Sequence, residues 1–169
     1  MILSFFLHYI MIIKGVVNMF TCTFSDEKKT SVKYLNAYEE PQYWDNANRR
    51  SLRFVCAADE IALDELDKLI SVAANCKTLT LSSDGEPLDG VSEEKTEPTT
   101  NIYSDYCIKG RCSKEPVLTG HEPETNAEIY EDRIVFILYR MTPTEKEQEL
   151  QAAQIAELQK MVAQLMGGK

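Results

Sequence analysis

Five cysteines and two histidines are the most reactive side chains of this sequence, and their spacing decides what they can do. A structural zinc site needs four sulfur or nitrogen ligands, usually supplied as two close pairs. Cys107 and Cys112 make one pair across Ile108-Lys109-Gly110-Arg111, a stretch that reads as a hairpin turn; no second pair stands beside it, and His8 and His121 are far apart. No metal is expected. Cys22 and Cys56 fall on apolar beats of strand-like segments and Cys76 falls between a helix and a strand, so all three read as small buried thiols. An odd number of cysteines at irregular spacing does not describe a disulfide framework either. His121 lies in a Pro/Gly-rich stretch with no nucleophile tied to it, and reads as a surface residue.

The carboxylates are equally undirected. Asp84, Glu86 and Asp89 come near a calcium loop, but Gly85 and Pro87 break its D-x-D-x-D-G pattern and no bidentate glutamate is in register. The chain carries no G-x-G-x-x-G, no phosphate-cradling lysine loop, no G-x-S-x-G and no H-E-x-x-H. No catalytic, metal or cofactor-binding residue is assigned, and a non-enzymatic protein without a cofactor is expected. Tyr38, Tyr43 and Trp44 flank Pro41, with Asp45 and Asn46 beside them. That mixture can stack on and hydrogen-bond a sugar or meet a protein partner, or simply anchor a loop.

The 27 acidic residues outnumber the 18 basic ones, for a formal charge of −9. Such a field disfavours nucleic acid and anionic membrane surfaces, whose phosphates call for surplus Lys and Arg. A protein partner is expected instead. With 44% hydrophobic residues in 169, the chain can bury a substantial core.

Residues 1–13, MILSFFLHYIMII, form the one candidate targeting segment. They are short of the ~20 apolar residues of a membrane span. They also lack the positive start and small-residue cleavage site of a secretory signal. Lys14-Gly15-Val16 can be encoded by a purine-rich ribosome-binding sequence ahead of Met19. The expectation is that translation starts at Met19, that 1–18 is leader, and that there is no membrane association. A weak signal or membrane anchor is the alternative.

The elements that must position these side chains follow from periodicity. Phe20, Cys22 and Phe24 alternate as in a half-buried strand, and a second strand runs from Val32 towards Tyr38. Pro41 and the Asp45, Asn46 and Asn48 cluster predict a loop over 39–48. Leu52, Phe54 and Cys56 predict a strand over 50–57. Ile61, Leu66, Leu69, Ile70 and Ala73 predict an amphipathic helix over 60–74, capped by Asp59 and packed on a sheet. Strands are expected at 78–82 and 101–108, separated by a mobile acidic loop at 83–99. A polar loop is expected at 113–126. The unbroken apolar run at 134–139 predicts a central strand covered on both faces.

The strongest local signal is Thr142-Pro143-Thr144-Glu145, a capping box with proline at the first helical position. The helix it starts can run to Met166 and stop at Gly167-Gly168, a length of about 36 Å. Ile155, Leu158, Val162 and Leu165 are spaced three, four, three, the seam of a coiled coil, with Gln148 and Gln151 one heptad earlier. The narrow seam predicts a projecting helix that self-associates; folding back on the domain is the alternative.

The order of threonine-rich first strand, R-S-L-R-F (50–54), D-E-I-A-L-D-E-L-D-K-L-I (59–70), K-T-L-T-L (77–81) and V-F-I-L-Y-R-M-T-P-T-E running into the last helix resembles small prophage-encoded proteins found among the tail and baseplate genes of low-GC Gram-positive bacteria. The resemblance implies a structural or assembly role in a virion, or in the host cytoplasm during assembly, with no catalytic residues to carry over. The expected architecture is α+β: a compact, mostly antiparallel domain of five or six strands with one packed helix at 19–141, then a coiled-coil-like helix at 142–169. It is expected to form a dimer or trimer through Ile155, Leu158, Val162 and Leu165 and to dock on other virion proteins. The alternatives are an acidic host-directed inhibitor that mimics nucleic-acid charge, and a carbohydrate-binding module using Tyr43 and Trp44.

Overall fold

The computed structural model describes residues 20–83 and 97–167; the expected leader and nearly all of the acidic loop lie outside them. In chain order the elements are β1 (Phe20–Thr23), β2 (Ser31–Tyr34), β3 (Asn36–Trp44), β4 (Ala47–Ala57), α1 (Leu63–Ser71), a 3-10 turn (Ala73–Cys76), β5 (Thr78–Ser83), β6 (Thr99–Ser104), β7 (Ile108–His121), β8 (Glu128–Tyr139) and α2 (Pro143–Gly167). The fold is α+β. Two antiparallel four-stranded sheets, ordered β2-β1-β5-β6 and β3-β4-β8-β7, are joined by a short helix and followed by a long one.

Strand alternation explains how the sheets meet. Cys22, Val32, Leu79 and Leu81 face inward from the first sheet, and Leu52, Phe54, Cys56, Ile134, Phe136 and Leu138 from the second. Phe54 and Phe136 stack at 4.5 Å between centroids, and Tyr34 meets Phe54 edge-on at 5.4 Å. Helix α1 adds Leu66 and Ile70 to the same core. Cys22, Cys56 and Cys76 are fully buried within it, as small apolar residues are. β8 is an inner strand, and Val135 and Tyr139 on its other face are buried as well. Trp44 stacks on Tyr139 at 4.5 Å, and a methyl group at Gly110 would meet Tyr139 Cε2 at 2.6 Å, so this second face is closed by close packing.

The structure corrects the expectation of loops at 39–48 and 113–126. Both are strands. β3 pairs with β4 through a two-residue turn at Asp45 and Asn46, whose φ values of 49° and 57° are those of a type I′ hairpin. Pro41 is tolerated because β3 is an edge strand, where a missing N–H need not break a ladder. β7 is the opposite edge and accommodates Pro116 in the same way, with register shifts at Lys109/Cys112 and Leu118/Gly120. Cys107 and Cys112 therefore do not flank a hairpin turn; Gly110 between them lies within β7. Among the described residues there are eight strands, not five or six.

Smaller boundaries move too. The strand expected over 32–38 divides at Leu35, whose N–H bonds the Val55 carbonyl at 2.7 Å as the chain crosses from one sheet to the other. β6 stops at Ser104 because Asp105 takes a left-handed φ of 68°. α1 begins at Leu63 with Ala62 at its cap and no side-chain cap bond, so Asp59 does not serve there; a turn closed by Glu60 N–H on Ala57 O delays the helix. Asp64 and Glu65 in the first turn compensate the exposed amides.

Candidate functional site

Helix α2 starts on the predicted capping box. Thr142 N–H donates to Glu145 Oε2 at 2.8 Å, and Glu145 N–H donates to Thr142 Oγ1 at 3.3 Å. The same carboxylate takes both Arg49 guanidinium donors, Nη1 at 2.5 Å and Nη2 at 2.6 Å. Arg49 is almost wholly buried and also donates through Nε to the Trp44 carbonyl at 3.2 Å, which fixes it at the β3–β4 turn. The Arg49 guanidinium, aided by the Thr142 amide and hydroxyl, holds the Glu145 carboxyl down at about 2. Two more ion pairs secure the next turn: Lys146 with Asp105, and Lys77 Nζ with Glu149 Oε2 at 2.7 Å. The preceding backbone is tied as well, with Arg140 N–H on Arg50 O and Met141 N–H on Asp105 O.

Beyond this joint the helix leaves the domain. Every residue from Glu147 to Met166 is exposed. The four seam residues are brought together on one helical face: Ile155, Leu158, Val162 and Leu165 are 55%, 57%, 52% and 82% exposed. Met161 and Met166 flank them and are also exposed, a widening that the heptad register made readable but that was not assigned. The three anchoring ion pairs were not foreseen either, since pairs such as Arg49 with Glu145 join residues distant in sequence. Among the described residues no helix is long and apolar enough to cross a membrane.

A cavity of about 320 Å³ opens at the joint, lined by Arg49, Arg50, Arg140, Thr142 and Lys146 among others. Its cations are already engaged: Arg49 by Glu145, Arg50 by Glu39 at 2.9 Å, Lys146 by Asp105, while Arg140 stands over the Tyr106 ring at 5.9 Å. The cavity is thus a seat for the start of α2 whose cations are already engaged within the protein. Burial raises all five thiols, Cys56 and Cys76 to about 12 and Cys112 to about 11, which favours the protonated form at neutral pH. Among the described residues no group of three His, Cys, Asp or Glu side chains can hold a metal ion.

The aromatic trio does not form one patch. Trp44 lies on Tyr139; Tyr38 bonds Arg53 through its hydroxyl, with the Arg53 guanidinium 5.3 Å from its ring centroid. Alternation along β3 puts Tyr43 on the opposite face, 71% exposed. Tyr43 alone remains broadly open to a partner. No family model, curated protein or solved structure matches the chain.

Proposed function

We propose that this protein is a non-enzymatic assembly component that self-associates through α2 and presents its α+β domain to a second protein. The observation that carries the reading is an apolar seam, more than half exposed, on a helix whose base is fixed to the domain by a capping box and three ion pairs. Leaving that much apolar surface in water is costly, and a helical seam of this spacing is relieved by another helix. Buried thiols and a joint whose cations are already engaged are in keeping with holding rather than reacting. The proposed setting, a tailed-phage particle, follows from the resemblance in element order alone.

The test is sedimentation equilibrium of the full chain beside Leu158→Glu/Val162→Glu. Both residues are exposed, so the variant keeps its fold while losing the seam. A multimeric wild type and a monomeric variant are expected; equal monomeric masses would refute the reading.

A further inference from the structure

We infer that the α2 seam pairs with a second copy of this chain as a parallel, two-stranded coil, an inference that rests on the self-association proposed above. Seam chemistry sets the strand number. The spacing puts Ile155 and Val162 at the a positions and Leu158 and Leu165 at d, and β-branched residues at a with leucine at d favour two strands. The flanking e and g positions over this stretch are Gln154, Gln159, Met161 and Met166. None is charged, so two copies of a chain of formal charge −9 meet along a neutral strip.

The anchoring of the helix leaves that strip accessible. In the same register Lys146 and Glu149, which bind Asp105 and Lys77, take f and b, on the side of the helix away from the seam, while Glu145, which binds Arg49, takes e ten residues before Ile155. All three anchors precede Ile155 and the helix is exposed from Glu147 to Met166, so the seam is open to a second helix. Direction follows from Gln148 and Gln151, the a and d residues one heptad nearer the domain, both exposed. In a parallel pair each faces its own counterpart and can hydrogen-bond across the axis. An antiparallel pair centred on the same four residues sets neither glutamine opposite its own counterpart. Covering Ile155, Leu158, Met161, Val162, Leu165 and Met166 in both copies buries on the order of 1,000–1,200 Å² in total, the lower edge of a specific interface. The pair is accordingly expected to be reversible and concentration-dependent.

Gln151→Cys in the full chain tests the arrangement, with wild type as the control for the native thiols. Sedimentation equilibrium gives the mass, and equilibration with a glutathione redox buffer reports whether the two introduced thiols meet. In a parallel pair they fall within disulfide reach, Cα atoms about 4.4–6.8 Å apart. In the antiparallel pair they are roughly 27 Å apart along the axis. A two-chain mass with a disulfide-linked dimer in the variant and none in wild type is expected. A two-chain mass without the link overturns the parallel direction, and a three-chain mass overturns the strand number, each leaving self-association intact. A one-chain mass at every concentration refutes self-association itself.

Discussion

Helix α1 spans nine residues and buries Leu66 and Ile70 completely, whereas α2 spans 25 and leaves Ile155, Leu158, Val162 and Leu165 at least half exposed. Both sequences space apolar residues at helical intervals, so periodicity alone does not distinguish them. The surroundings do. α1 is held by the core and manages without a side-chain cap, while α2 is held at its base by Thr142, Glu145 and Arg49 and lacks a core for most of its length. A short helix can rely on tertiary packing, but a long uncovered one depends on capping, good helix formers and whatever packs on it from outside.

Substitutions can break this contrast from either side. Leu66→Ala opens a cavity in the core and is expected to cost about 3 kcal/mol in urea unfolding, while Leu158→Ala, measured at low protein concentration, changes the monomer by less than about 0.5 kcal/mol. A comparable loss from both would mean that α2 packs on its own domain. Arg49→Met removes the almost wholly buried partner of a part-exposed Glu145 and is expected to cost about 2 kcal/mol, read by the same unfolding. Thr142→Ala removes one half of the capping box, for about 1 kcal/mol.

The joint also has a pH signature. Glu145 is held down to about 2 against an ordinary 4.5, so its contribution is complete above about 4.5 and is lost as the pH falls towards 2. The stability difference between wild type and Glu145→Gln is therefore expected to shrink over that window in thermal unfolding followed by circular dichroism. A difference that stays constant down to pH 2 would place the anchoring elsewhere.

The sequence made the central strand, α1 and the start of α2 readable because each carries a local signal: the apolar run ending at Tyr139, the helical recurrence of Leu66 and Ile70, and the Thr142-Pro143-Thr144-Glu145 box. β3 and β7 were hidden by Pro41 and Pro116, residues that argue against a strand unless it lies at a sheet edge, and edge position is a property of the assembled sheet. The Asp45-Asn46 pair pointed to a turn, yet only the paired flanks make it a two-residue hairpin. The seam of the candidate site was legible for the same local reason as the helix. Its anchor was not, because Arg49 and Glu145 come together only when the β3–β4 turn meets the base of α2.

Hydrogen–deuterium exchange of the full chain over a range of protein concentrations tests the central claim most directly. The account predicts that amides around Ile155 to Leu165 gain protection as concentration rises, while those of α1 around Leu66 and Ile70 are protected throughout. Protection of the α2 amides that is high and independent of concentration, or that never develops, would contradict it.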